Sequence, residues 1–158
     1  MKKMTLLLVG LIPFFIGYGM NYLMQGPFSN TVLPYKLIGA AFLIAWFFAG
    51  RYSCKFVGSE KAATIWGNAI AFIVLLLIIY QEYILGGYWS APVGVATQFY
   101  YLPLLGLAFM FTRMFHTMPP AYAAAFLMMC VVFYLGCHTS KHYIKGASPS
   151  PEKGRECY

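Results

Sequence analysis

The chain has no aspartate and only four glutamates among its 158 residues. Charged residues make up 9% of the sequence, whereas hydrophobic residues make up 61%. A soluble protein of this composition would have too few polar side chains to cover its surface. The sequence also contains no phosphate-binding loop, no zinc-protease motif and no nucleophile beside a base. Membrane enzymes usually place paired acids, or a histidine with a carboxylate, in a wet cavity. Because this chain has so few acids, we expect neither enzymatic activity nor a cofactor.

The four cysteines follow no paired motif. Cys130 and Cys137 would lie about 10.5 Å apart along one helix, which is too far for a disulfide between them. The cysteines therefore predict free thiols and no redox centre.

Five apolar stretches fill almost the whole chain, at residues 4–23, 32–50, 62–80, 93–112 and 121–138. A helix needs about 20 residues to cross the hydrocarbon core of a bilayer. The stretches are apolar on every face, which favours helices over the alternating strands of a membrane barrel. We predict an all-α, polytopic integral membrane helix bundle with five transmembrane helices in residues 1–145. Residues 146–158 carry serines, prolines and charges with few apolar residues, which predicts a disordered tail.

The cations suggest how the chain is oriented, because Lys and Arg are enriched in cytoplasmic loops. Lys2 and Lys3 place the N-terminus in the cytoplasm of a multi-pass plasma-membrane protein. Five spans then put the cationic C-terminal tail outside, against this bias. An alternative has four spans, with the fourth stretch, which Pro103 and Gly106 interrupt, entering and leaving on the same side. The net charge of +7 is spread over loops and tail, which favours contact with anionic lipid over binding to nucleic acid.

Two prolines interrupt apolar stretches in similar surroundings, Pro13 in Leu-Ile-Pro-Phe-Phe-Ile-Gly and Pro103 in Tyr-Leu-Pro-Leu-Leu-Gly. Each proline removes one helical hydrogen bond and bends its helix. With five spans these two helices run in opposite directions, as in the inverted repeats of transporters.

Polar residues near the spans lie mostly toward the predicted outer side. Asn21, Gln81, Glu82 and Gln98 would line an outward-facing polar cup that binds a solute or ion, because polar groups in a membrane usually bind a ligand or join helices. The alternative is that Gln81 and Glu82 are interfacial, and that Asn21 and Gln98 bond between helices. Asn68 we interpret as a residue that joins helices.

His138 and His142 are spaced at i and i+4 on one helical face, which is also a spacing of metal ligands. Two histidines supply at most half of a closed zinc shell, and the neighbouring sequence has no acid. We therefore interpret them as interfacial histidines and predict no metal site.

One segment resembles small uncharacterised multi-span membrane proteins of Gram-positive bacteria. It comprises Tyr-Gln-Glu-Tyr-Ile-Leu-Gly-Gly-Tyr-Trp at residues 80–89 and Gln-Phe-Tyr-Tyr-Leu-Pro-Leu at residues 98–104. The resemblance implies a bacterial plasma membrane and no known activity.

Two hypotheses about function follow. The first is a small transport or solute-binding subunit that uses the polar cup. The second is a non-catalytic partner that packs against another membrane subunit, or against a second copy of itself, through the small-residue stripe Ala41, Ala45 and Ala49. Ala121 and Ala125 repeat this spacing in the last span. In both hypotheses the lipid bilayer surrounds the protein.

Overall fold

A computed structural model describes residues 2–26, 34–57, 59–86, 92–112 and 118–146. Every regular element within these ranges is helical. The helices follow one another as α1 (Lys2–Gly10), α2 (Ile12–Gln25), α3 (Tyr35–Val57), α4 (Glu60–Gly67), α5 (Ala69–Tyr83), α6 (Pro92–Thr112) and α7 (Pro119–Gly146). The predicted disordered tail lies outside the described residues except for Gly146, which ends α7.

Four helical stretches are long and apolar enough to cross a membrane. They are Met4–Gln25, Tyr35–Lys55, Gly94–Thr112 and Pro119–Ser140, with 22, 21, 19 and 22 residues. A fifth stretch, formed by α4 and α5, meets the same criterion only as a pair that bends by 45°. The predicted all-helical membrane bundle is therefore confirmed, with four candidate spans and up to five.

The main break lies in the third apolar stretch and not in the fourth. α6 is one continuous helix of 21 residues although Pro103 lies inside it, so the fourth stretch is not the interrupted segment that the sequence suggested. In the third stretch, Asn68 separates α4 from α5. Its Nδ2 donates to the carbonyl of Thr64 at 3.0 Å, and local bonds of this kind compete with helical hydrogen bonding.

α2 and α6 lie side by side and run in the same direction. The backbone of Gly17 packs against the carbonyl oxygen of Phe99. Seven residues further along α2, Met24 lines a cavity together with Leu102 and Leu105 of α6. The two proline-containing helices are therefore parallel, whereas the inverted-repeat interpretation requires them to be antiparallel.

α3 runs against α6. Tyr35, at the start of α3, would touch a Cβ added to Gly106, and a Cβ added to Gly39 would lie 3.1 Å from the carbonyl oxygen of Pro103. A step forward along α3 is thus matched by a step backward along α6. α3 consequently ends on the side of the bundle where α6 begins.

α3 and α7 approach each other through two glycines. The backbone of Gly50 packs against the carbonyl of Phe133, and Gly136 packs in return between the carbonyl of Phe47 and the amide of Arg51. Cys137 Sγ donates to the carbonyl of Gly50 at 3.1 Å. Small residues allow membrane helices to pack this closely, so the absence of a side chain at Gly50 and Gly136 sets the distance between α3 and α7.

Replacing Gly50 with alanine should destabilise the bundle by about 1–3 kcal/mol, because the new methyl group would overlap the Phe133 carbonyl. The Phe133 carbonyl belongs to the backbone of α7, so it cannot rotate away from the new methyl group as a flexible side chain could. Gly19→Ala is the matched control, since a methyl group there meets open space. The thermal unfolding midpoints of both variants in one detergent test this, and equal midpoints would contradict it.

Candidate functional site

Gln81 is fully buried between α5 and α6. Its Nε2 donates to Thr97 Oγ1 at 3.4 Å, and the Thr97 hydroxyl donates in turn to the Gly94 carbonyl at 2.7 Å. Because that hydroxyl has used its proton, it must accept from Gln81, which fixes the orientation of the amide. Gln81 Oε1 is buried and has no hydrogen-bond partner. The sequence therefore identified a polar residue that keeps an unused acceptor.

The other residues of the predicted polar cup are distributed along the bundle. Asn21 accepts from Gln25 within α2 at 3.3 Å, and it lies beyond the level at which Gly17 meets Phe99. Gln98 and Glu82 are half-buried neighbours of Thr97 and Gln81 in their helices. The structure joins Gln81 to Thr97 and places Asn21 further toward the end of α6.

The two histidines of the predicted metal-ligand spacing lie at the end of α7. His138 Nδ1 is 3.3 Å from Glu60 Oε2, and its ring stacks on Tyr134 at 6.1 Å between centroids. The side chain of His142 is outside the described part of the structure. In that part, no group of three His, Cys, Asp or Glu residues is placed to hold a metal ion.

Glu60 is the residue that the sequence analysis missed, since it assigned no acid to the neighbourhood of His138. The two residues are 78 positions apart. Glu60 is the first residue of α4, directly after Ser59, whose side chain accepts from the Ala62 amide. A serine followed by a glutamate before an apolar run is a signal for the start of a helix. The signal does not show which other helix will end beside that glutamate.

The break at Asn68 opens a cavity of about 520 Å³ between the α4–α5 pair and α7. Its lining is almost entirely apolar and comprises Thr64, Ile65, Asn68, Ala69, Phe72, Ile73, Phe126 and Cys130. Asn68 is 3% exposed. Its Nδ2 donates to the carbonyl of Thr64, which distinguishes the amide nitrogen from the amide oxygen. Its Oδ1 is therefore the atom that has no hydrogen-bond partner. Asn68 thus contributes to the wall of an apolar cavity and keeps a buried acceptor, Oδ1, that no group of the described residues uses. A ligand that carries one hydrogen-bond donor would pair with Oδ1 if the amide turns toward the cavity.

Two adjacent tyrosines of α6 form hydrogen bonds to the backbone beside the two helix breaks, at Leu11 and at Asn68. Tyr100 donates its hydroxyl to the Gly10 carbonyl at 2.7 Å, and Tyr101 donates to the Ala71 carbonyl at 2.6 Å. Gly10 ends α1, and Ala71 lies in the first turn of α5. Both hydroxyls therefore bond to backbone next to a helix break, which positions Asn68 and its cavity relative to α6.

Replacing Thr97 with valine should destabilise the protein by about 1–2 kcal/mol, because it leaves the whole Gln81 amide unpaired. The additional change Gln81→Leu should restore most of this loss, since the double variant buries no amide there. Thermal unfolding of both single variants and the double variant forms a double-mutant cycle. Additive losses of stability would show that the two side chains do not interact.

Three polar sites of the described residues are thus candidates for function. They are the Gln81–Thr97 pair, the Glu60–His138 pair and the Asn68 amide beside its cavity. No protein-family model matches this chain, and neither does any curated protein or solved structure.

Proposed function

We propose that the protein is a small ligand-binding subunit of a bacterial plasma membrane, and that it binds a membrane-dissolved amphiphile beside Asn68. The observation that carries this proposal is the buried, unpartnered Oδ1 of Asn68 in the wall of an apolar cavity. The cavity volume of about 520 Å³ falls within the range of roughly 300–1,000 Å³ of ligand pockets. Such pockets combine an apolar lining with a few placed polar groups.

The chemistry of the lining defines the ligand class. An unpaired buried acceptor costs about 1–3 kcal/mol, which a ligand with a donor would recover. A charged ligand would lose its hydration without an ion partner in this lining, so the donor belongs to a neutral group such as a hydroxyl. Ile65, Phe72 and Ile73 line the cavity and are about half to two-thirds exposed on the outer surface. Because that surface faces lipid in a membrane, the ligand enters sideways from the bilayer.

The cellular location in this proposal rests on the sequence. Residues 80–89 and 98–104 resemble small membrane proteins of Gram-positive bacteria, and the Met-Lys-Lys start also favours a bacterial plasma membrane. Lys2 and Lys3 favour a cytoplasmic N-terminus. The lipid bilayer is then both the solvent of the protein and the source of its ligand.

We expect 1-dodecanol to slow the modification of Cys130 by N-ethylmaleimide several-fold in protein reconstituted into lipid nanodiscs. Cys130 is half-buried and lines the cavity, so an occupant would cover its thiol. Dodecane, which has no hydrogen-bond donor, is the matched ligand control. The extent of modification at Cys130 is read by mass spectrometry of the intact protein and its peptides, with Cys157 as the reference thiol.

Asn68→Leu is the matched protein control, because it keeps the branched shape of the side chain and removes the acceptor. Its rate of Cys130 modification without ligand must equal that of the unchanged protein, which shows that the cavity survives the loss of the Nδ2 bond to Thr64. Under the proposal this variant no longer distinguishes dodecanol from dodecane. Equal protection by both ligands in the unchanged protein would show that lipid chains fill the cavity without recognition. No protection by either ligand would refute a ligand site there.

A second candidate function is assembly with another membrane subunit or a second copy of this chain, and the exposed small residues of α3 support it. Ala41 and Ala45 are exposed on the outside of the bundle, whereas Ala121 and Ala125 of α7 are fully buried inside it. The α7 alanines therefore serve packing within the chain. The α3 alanines leave a smooth stripe, which suits contact with another subunit or a second copy of this chain.

If α3 forms such an interface, Ala45→Leu should lower the association constant of the oligomer at least tenfold, which corresponds to about 1.4 kcal/mol or more. The added side chain would hold the partner helix away from the stripe. Val131→Leu, on the exposed face of α7, is the control and should change nothing. Native mass spectrometry from detergent measures the oligomer, and a monomeric unchanged protein would dismiss the interface.

A further inference from the structure

We infer that α4 and α5 form a re-entrant segment, which enters the membrane from the side where α1 begins and returns to that same side. The chain would then cross the membrane four times, through α1–α2, α3, α6 and α7. Both termini would lie on one side. This inference concerns the path of the chain and does not depend on the identity of any ligand.

The first argument is the direction of α6. α2 and α6 are parallel, because Gly17 meets Phe99 and Met24 lies by Leu102 and Leu105. α6 therefore begins on the side where the α1–α2 span begins. α3 is antiparallel to α6 and ends on that side as well. A segment that connects the end of α3 to the start of α6 must start and finish on one side of the membrane.

The direction of α5 agrees with this path. Ala71, at the start of α5, accepts from Tyr101, while Gln81, near its end, bonds to Thr97. Ten residues of α5 are thus matched by four residues of α6, so α5 crosses α6 and ends beside its first turns.

The direction of α7 gives an independent check. A Cβ added to Gly67, at the end of α4, would lie 2.6 Å from the Phe133 ring. Five residues further along α7, His138 lies 3.3 Å from Glu60, at the start of α4. α7 thus ends where α4 begins, which is the side where α3 ends. The C-terminal end of α7 is consequently on the same side as the start of α1.

A backbone that turns within the membrane must be sheltered by protein, because lipid cannot bond to its polar groups. Gly10 of α1 packs against the carbonyl of Gly67 and the side chain of Ile70. Phe126 of α7 packs its ring against Phe72 at 5.9 Å, and α6 supplies the Tyr101 hydroxyl. The break therefore lies among three other helices of the bundle.

The cations agree with the inferred path. With four crossings, all the lysines and arginines except Lys36 and Arg113 belong to segments on the side of the N-terminus. With five crossings, Lys141 and Lys145 at the end of α7 would lie opposite to Lys2 and Lys3. The positive-inside bias favours the first arrangement and assigns the common side to the cytoplasm. Gln81 would then lie toward the cytoplasm and not toward an outward-facing cup.

Single cysteines at two exposed positions distinguish the two paths, since each changes side between them. These are Tyr83→Cys at the end of α5 and Met118→Cys before α7; the native side chains are 67% and 49% exposed. The background carries alanine at the four native cysteines. Gln25→Cys and Lys55→Cys are controls whose sides are the same in both paths, outside and inside.

Intact cells are treated with a membrane-impermeant maleimide, and labelling is repeated after permeabilisation. We expect Met118→Cys and Gln25→Cys to label in intact cells, and Tyr83→Cys and Lys55→Cys to label only after permeabilisation. Labelling of Tyr83→Cys but not Met118→Cys in intact cells would overturn the inference. If a variant fails to accumulate, the unchanged chain fused at its C-terminus to green fluorescent protein or alkaline phosphatase decides, since fluorescence supports a cytoplasmic end and phosphatase activity refutes it.

Discussion

The structure depends on the need to satisfy backbone carbonyls where helices break inside a membrane. In a continuous helix the Phe14 amide would donate to Gly10, but here it donates to Leu11. The Gly10 carbonyl accepts instead from the Tyr100 hydroxyl, and the adjacent Tyr101 serves Ala71 beside the second break. In lipid each unsatisfied group costs several kcal/mol. Tyr100 thus satisfies a carbonyl that the first break frees, and its neighbour Tyr101 joins α6 to α5 beside the second break.

The same constraint explains where the helices come closest together. Pro103 cannot donate an amide to the Phe99 carbonyl, and the backbone of Gly17 packs against that oxygen. A glycine brings its Cα hydrogens near the oxygen, where they form a weak hydrogen bond. Because glycine has no side chain, the two helices come close enough to keep lipid away from this oxygen. The proline therefore interrupts one bond without breaking α6, because a parallel helix covers the exposed carbonyl. At Asn68, by contrast, the amide side chain bonds to its own helix and the chain bends.

The length and hydrophobicity of the apolar stretches were enough to predict an all-helical membrane bundle. They could not predict the break in the third stretch, because a single asparagine in an apolar run does not determine whether its helix continues or bends. The direction of α6 depends on which face Gly17 and Met24 meet, and no local pattern records this. At the site level, Gln81 stood out as a polar residue in an apolar chain. The contact between Glu60 and His138 joins distant segments, so the sequence alone gave no sign of it.

The unused acceptors connect the path of the chain to the proposed ligand site. Asn68 Oδ1 and Gln81 Oε1 both belong to the bent third segment and are buried without partners, while α2, α3, α6 and α7 form the frame around it. Asn68 lines the cavity at the bend, where its Nδ2 bonds to Thr64 and its Oδ1 is left over. A ligand that donates to Oδ1 therefore stabilises the bent segment relative to a straighter one, by as much as its affinity differs between the two. By linkage, whatever straightens the segment must weaken the ligand by the same factor.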